Sequence, residues 1–232
     1  MRRARSAAAT GRVTVVVICH DYGRFLRQAV ESVMEQTLRP RILILDDAST
    51  DETPEVVAEL KRRDAGLEAH REPHNRGLST LRNLAAERVA SEWIVYLDAD
   101  DWLAPRYVER ALRRLDRDPE VDVLTTDMTI VRGRFRRLRW RARAPREPAD
   151  LARANTVAQT SFVRQEMVGE LGGYDPALHY EDWDFWIRAL RAGRRFDRLP
   201  GRHIYRREHG ANKSKLCDDD EATAQIRRKH GL

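Results

Sequence analysis

The 232-residue chain has two cysteines, Cys19 and Cys217, and neither stands at the spacing of a zinc site. Two isolated thiols make no disulfide framework, which suits a reducing compartment. Long apolar runs are also missing. The longest, Val13 to Cys19 with Thr14 inside it, is strand-sized and far short of the roughly eighteen residues that span a membrane. The arginine-rich start, Met1 to Arg12, has no apolar stretch behind it, so no cleaved leader is expected and residues 1–11 read as a disordered tail of a cytoplasmic protein. No internal repeat is present. A nucleotidyltransferase would need a glycine-rich phosphate loop after the first strand, and His20-Asp21-Tyr22-Gly23 is not one. A haloacid-dehalogenase-type phosphatase would place paired aspartates there, soon followed by threonine, and these too are missing. Lysine is scarce beside arginine, and the net charge of +6 with a pI near 9.7 favours anionic partners. Base composition alone produces such an arginine excess, so charge by itself identifies no partner.

The stretch around which the chain is organised is Trp93 to Pro105. Trp93 to Leu97 has the β-branched and aromatic character of a strand buried on both faces, and it ends in Asp98, Asp100 and Asp101. Three strand-helix alternations precede it. Val13 to Ile18 leads to a helix carrying Leu26, Ala29, Val30 and Val33. Ile42 to Leu45 ends in Asp46-Asp47 ahead of a helix entered at Thr53-Pro54. A short strand near Leu67 to His70 leads through Asn75-Arg76-Gly77 to a helix carrying Leu78, Leu81 and Ala85. Such alternation predicts a parallel sheet with helices on both faces, and all parallel strands present their C-terminal ends on one edge. His20-Asp21, Asp46-Asp47 and Asp98 to Asp101 therefore converge. Oxygen ligands in such a crevice suit Mg²⁺ or Mn²⁺ held against phosphates, while capping of a helix entered at Pro105 is the plainer use of the same aspartates.

After the helix of Val108 to Leu115 the pattern changes. Val121 to Leu124 and Gln159 to Val163 read as strands, with Ile130-Val131 and Phe135 to Trp140 as antiparallel additions. Arg143 to Asn155 reads as a mobile loop. Gly172-Gly173-Tyr174-Asp175 is a turn ahead of a helix beginning in Glu181-Asp182-Trp183-Asp184, with Trp186 in the core and Trp183 a candidate for an acceptor pocket. A strand around His203 to Tyr205 and a short helix from Asp218 to His230 complete the chain. Eight arginines fall between Arg132 and Arg146 with no acid among them. They read either as a solvated edge strand or as a docking face for an anionic membrane or a phosphate-bearing lipid.

Taken in order, these motifs resemble the family 2 glycosyltransferases of the GT-A fold over about Val13 to Ser214. The matching elements are Cys19-His20-Asp21-Tyr22-Gly23, Leu45-Asp46-Asp47-Ala48-Ser49, Asn75-Arg76-Gly77, Arg82-Asn83, the Asp98-Ala99-Asp100 DXD motif, Glu181-Asp182-Trp183-Asp184, and Tyr205 through His209 to Ser214. The resemblance implies a Rossmann-like three-layer αβα sandwich with a mostly parallel central sheet and small antiparallel additions in the acceptor half. It sets a single domain over residues 12–216, split into a nucleotide-sugar half (12–117) and an acceptor half (118–216), with residues 217–232 as a C-terminal helix. It implies a metal-dependent inverting transfer from a nucleoside diphosphate sugar, UDP-sugar favoured, to a hydroxyl on a glycan, a lipid-linked sugar or a small molecule. By the same resemblance His20, Tyr22, Asp46, Asp47, Asn75, Gly77, Arg82 and Asp98 bind the nucleotide. Asp100 and His209 hold Mn²⁺ or Mg²⁺, with Lys213 a weaker candidate nearby, and Asp182 is the general base, with Glu181 the alternative. The family commonly has an aromatic-Asn pair where this chain has His20-Asp21, which alters stacking on the base. No nucleic acid is expected as partner, and peripheral contact at the inner face of the membrane is. The rival reading is a non-catalytic member of the fold acting as a basic module for RNA or anionic membrane.

Overall fold

The computed structural model describes residues 11–133, 136–210 and 219–232. Residues 1–10, Arg134, Phe135, Lys213, Ser214, Cys217, Asp218 and the side chain of Arg136 lie outside the described part, and with them most of the expected N-terminal tail.

Strand β1 (Val13–Cys19) is buried along its whole length and forms the middle of the parallel half. It pairs in parallel with β2 (Arg41–Asp46) on one side and β4 (Trp93–Asp98) on the other, and β2 pairs in parallel with β3 (Glu68–Arg71). The crossovers are α1 (Gly23–Met34), α2 (Thr53–Arg63) and α3 (Leu78–Arg88). Register carries Cys19, Asp46 and Asp98 to the same edge: Cys19 stands opposite Asp46 and Ile18 opposite Asp98. Convergence of the acidic strand ends therefore follows from parallel pairing alone.

The second half is built differently. After β5 (Trp102–Leu103) and α4 (Tyr107–Leu115) comes β6 (Val123–Arg132), ten residues that merge the two short strands expected at Val121–Leu124 and Ile130–Val131. Among the described residues, strand β7 (Arg136–Trp140) pairs only with β6 and forms an antiparallel hairpin, as expected. Strand β8 (Phe162–Arg164) bridges β4 and β6 antiparallel to both, and α5 (Gln165–Glu170) and α6 (Glu181–Arg191) follow. Strand β9 (Phe196–Glu208) runs parallel to β6 for thirteen residues, far beyond the three anticipated. Its pattern is hidden by Pro200-Gly201, which bulges between Leu199 and Arg202. Thr126 Oγ1 closes the bulge by donating to the carbonyl oxygens of Leu199 and Gly201 at 3.0 and 2.9 Å.

Helices lie on both faces of this nine-stranded sheet, with one buried cluster on each side. Trp186 is fully buried as expected. The stretch expected to be a mobile loop instead folds into a 3-10 turn at Pro148–Leu151 and buries Leu151 completely. Helix α7 (Asp219–His230) joins the same core through Ile226.

Candidate active site

The C-terminal ends of β1, β2 and β4, the start of α6 and the β6–β7 hairpin enclose a cleft of roughly 1030 Å³. At its β1–β2 side, His20 Nδ1 donates to the Asp47 carbonyl oxygen at 2.7 Å, leaving Nε2 to accept from the Asn75 amide at 2.8 Å. The Asp47 carboxylate accepts the backbone N–H groups of Arg76 and Gly77 at 2.7 and 2.9 Å. Gly77 has φ 82 and ψ 157, a conformation open essentially to glycine alone, and this is why the Asn75-Arg76-Gly77 loop ends as it does. Asp21 and Ala48 also have positive φ, 54 and 56 degrees, and the two loops are tied by the Asp21 N–H donating to Ser49 Oγ at 3.0 Å. Asp46 turns away. Its carboxylate accepts the Ser49 N–H at 2.9 Å and lies 3.4 Å from Arg71 Nε, outside the cleft lining. His20, Tyr22, Asp47, Asn75, Gly77, Arg82 and Asp98 all line the cleft.

Asp98, Asp100 and Asp101 bring one oxygen each within 4.8 Å of one another. None of them caps α4, which begins at Tyr107 without a side-chain cap. Burial, and then the charge of Asp98, raises the Asp100 carboxyl above its ordinary range. Asp101 is pushed up further by burial and by Asp100 and Asp98, although its Oδ1 accepts the Arg207 N–H at 2.8 Å. His209 Nε2 stands 3.0 Å from Asp100 Oδ2, its ring against Tyr22 and Phe25. Three carboxylates are crowded here in a partly dry site, with His209 against Asp100, the Arg207 N–H on Asp101 and Arg82 near Asp98. An oxygen-rich donor set with one imidazole fits a hard divalent cation such as Mn²⁺ or Mg²⁺.

Opposite this cluster, α6 begins with three carboxylates in three different settings. Glu181 is buried and paired with Arg82, itself buried, whose Nη2 also lies 3.6 Å from Asp98 Oδ1. Arg82 also faces the ring of Tyr174, 5.6 Å from its centroid. Asp182 is partly buried and lines the cleft. Its Oδ2 accepts from the Asn155 amide at 2.9 Å and its Oδ1 from the Trp183 N–H at 2.8 Å. Burial first, and then the charge of Glu181, pushes the Asp182 carboxyl up to about 6, with Arg82 opposing. Asp184 faces inward to Arg188, Lys229 and His230 at 2.8, 2.8 and 2.9 Å and anchors α7. Trp183 lines the cleft, its Nε1 donating to the Leu151 carbonyl oxygen at 3.0 Å.

Some of the lining was not legible in the sequence. Asn155 sits in the stretch taken as loop, and nothing local marks it as the partner of a carboxylate 27 residues on. Met128, Ile130 and Trp140 form a wall on the hairpin, and Thr223 of α7 completes the rim. The strand alternation of β6 and β7 carries the hairpin part of this signal. The α7 part has none, because docking of that helix depends on Asp184.

The model of the family described as glycosyl transferase family 2 matches residues 14–170. Among curated proteins, the putative glycosyltransferase EpsH of Bacillus subtilis is 33% identical over 106 residues, covering 45% of this chain and 30% of that protein. An uncharacterized glycosyltransferase of Methanocaldococcus jannaschii, MJ1057, is 22% identical over 208 residues, covering 82% of this chain and 71% of that one. The S. aureus TarS fragment in complex with UDP-GlcNAc superposes with a TM-score of 0.78 at 20% identity, over 94% of this chain and 65% of that one. The mannosyltransferase of Pyrobaculum calidifontis in complex with GDP-Man and Mn²⁺ does so with a TM-score of 0.65 at 20% identity, over 88% and 59%. These likenesses carry the GT-A fold. The chain spans less than a third of the Bacillus relative and under two thirds of the TarS fragment.

Proposed function

The chain belongs to glycosyl transferase family 2, and from that membership we propose that it is a metal-dependent, inverting glycosyltransferase moving a sugar from a nucleoside diphosphate sugar to an acceptor hydroxyl. The observation that carries the reading is the pairing of unlike carboxylates across one cleft: a crowded acidic triad at the end of β4 and the turn after it, and a base candidate, Asp182, on α6. His20, Tyr22, Asp47, Asn75 and Gly77 form the nucleoside end, with the amides of Arg76 and Gly77 fixed by Asp47. Asp46 serves this end indirectly, by shaping the turn that presents Asp47. Asp98, Asp100 and His209 would hold Mn²⁺ or Mg²⁺, which when bound stabilises the departing diphosphate as a Lewis acid. Asp182 takes the proton of the acceptor hydroxyl as that oxygen attacks the anomeric carbon from the side opposite the diphosphate. The C–O bond to the diphosphate breaks in the same displacement, so the anomeric centre inverts. Glu181 is the poorer base, because Arg82 already occupies its carboxylate. UDP is the nucleotide proposed for the nucleoside end of the cleft, as the sequence resemblance implies.

The test is thermal stabilisation by UDP, GDP, dTDP and CDP with Mn²⁺, Mg²⁺ or EDTA. Stabilisation by one nucleotide that requires the cation, disappears in Asp100→Ala and persists in Asp182→Asn is the expected pattern. No shift with any nucleotide overturns it in favour of a non-catalytic member of the family.

A further inference from the structure

The hairpin β6–β7 has two unlike faces. Met128, Ile130 and Trp140 line the cleft, and Leu138 stands opposite Ile130 in the register. The alternate positions Arg137, Arg139, Arg141 and Arg143 are all exposed, while Ala142 between the last two is buried and its N–H donates to Asp127 Oδ1 at 3.0 Å. The alternation continues past the strand, because Arg143 N–H donates to the Thr156 carbonyl oxygen at 3.0 Å and keeps the backbone extended. Four guanidinium groups therefore follow one another along about 20 Å of chain, and exposed Arg146 comes next.

Counter-charge is sparse along this row. Some exposed arginines elsewhere are matched, Arg12 by Glu92 and Asp116, Arg63 by Glu31 and Arg228 by Glu221, and those that meet no acid, such as Arg41, Arg62, Arg88 and Arg117, stand singly on different elements. In the row, only Arg139 meets an acid, Asp127, which it shares with Arg198. Among the described residues no carboxylate pairs with Arg137, Arg141, Arg143 or Arg146. The geometry points to a docking surface for an anionic phospholipid bilayer, held by headgroup phosphates along the Arg137–Arg146 row. A protein partner would want an apolar anchor at the centre of its interface, and Leu232 is the one large hydrophobic side chain exposed among the described residues. RNA would want an aromatic platform for its bases, and Trp140, the aromatic of this segment, faces the cleft. Headgroup phosphates need neither, only a row of unpaired cations. The inference is independent of the chemistry assigned to the cleft.

Sedimentation with phosphatidylcholine vesicles, with and without phosphatidylglycerol, tests it. The quadruple variant Arg137→Gln, Arg141→Gln, Arg143→Gln, Arg146→Gln spares Arg139 and its ion pair, so the hairpin keeps its anchor. Its comparator is Arg41→Gln, Arg62→Gln, Arg88→Gln, Arg117→Gln, an equal charge change at exposed positions elsewhere. The wild type is expected to bind only the anionic vesicles and to be released by salt. The row variant should bind on the order of several hundredfold more weakly, at about fivefold per arginine, with the comparator within a few-fold of wild type. Equal loss in both variants, or no binding to anionic vesicles by the wild type, overturns the inference. Retention on a single-stranded RNA at a salt concentration that releases vesicles overturns it in favour of RNA. The variant's melting temperature, compared with those of the wild type and the comparator, separates these outcomes from a damaged fold.

Discussion

Between Val13 and Leu115 each parallel strand is reached by one helical crossover, and the side chains that shape the cleft are tied to neighbours one turn or one strand away. Between Val123 and His230, β6 alone pairs with three strands, and the cleft residues are held from far along the chain. Asn155 reaches Asp182, Arg82 of the first half reaches Glu181, and Arg207 and His209 reach back to the Asp100–Asp101 turn. The first half thus presents a frame, the proposed donor side, that its own sequence specifies. The second half presents chemistry that only the completed fold assembles.

The largest effect that would sharpen this contrast is expected from Asp182→Asn. Loss of the proposed general base should lower kcat by about 10²–10⁴-fold, while nucleotide-induced stabilisation, which the proposal assigns mainly to the first half, stays at the wild-type level. In the wild type the rate should rise with pH through about 6 as Asp182 ionises. The linkage has the opposite sign for stability. The folded carboxyl titrates above its unfolded value of 3.8, so its stabilising contribution is complete below that value and is lost as pH rises through about 6. At pH 8 Asp182→Asn should therefore melt no lower than the wild type. A variant that melts several degrees lower and loses nucleotide binding as well would mean that Asp182 is structural.

Arg82→Met tests a buried side chain that joins the halves. It leaves Glu181 buried without its cation, which costs about 3–5 kcal/mol, read as a lowered denaturation midpoint with the slope unchanged. The double variant Arg82→Met, Glu181→Gln should recover much of that loss. Failure to recover would show that Arg82 acts chiefly through Asp98 and the rings of Tyr96 and Tyr174.

How much of this was legible follows the same division. The strands and helices up to Leu115, the converging aspartates and the Asn75-Arg76-Gly77 turn are all written in short-range signals: β-branched runs, a Thr-Pro helix start, a glycine at a backbone angle that excludes other residues. Beyond Val121 the signals mislead. The strand expected around His203 to Tyr205 is the end of a longer β9 with Pro200-Gly201 as a bulge inside it, and the arginine-, proline- and alanine-rich stretch after Arg143 reads as loop although Leu151 is fully buried beneath Trp183. Composition reports local preference, and neither a bulge closed by Thr126 nor a leucine covered from 32 residues away is a local event. Leu151→Ala is accordingly expected to cost about 2–5 kcal/mol, the price of a core leucine. A cost within about 0.5 kcal/mol, ordinary for a surface loop, would restore the composition-based reading.

The smallest effect, and the sharpest, belongs to Asn155. Its amide donates to Asp182 Oδ2 and lowers that carboxyl, against the upward push of burial and Glu181, while its Oδ1 accepts the Val157 N–H at 3.0 Å. One side chain thus does a structural and an electrostatic task, and two substitutions separate them. Asn155→Asp keeps an oxygen for Val157 but places a second negative charge against Asp182. Asn155→Ala removes both bonds. If the side chain matters through the base, both variants move the acid limb of the pH–rate profile upward, Asn155→Asp further than Asn155→Ala. Transfer at neutral pH then falls by about two- to tenfold, the loss of ionised base when a hydrogen bond to a charged group is removed. If it matters only as a loop anchor, Asn155→Asp behaves as wild type, and the limb stays where Asp182, Glu181 and Arg82 alone put it.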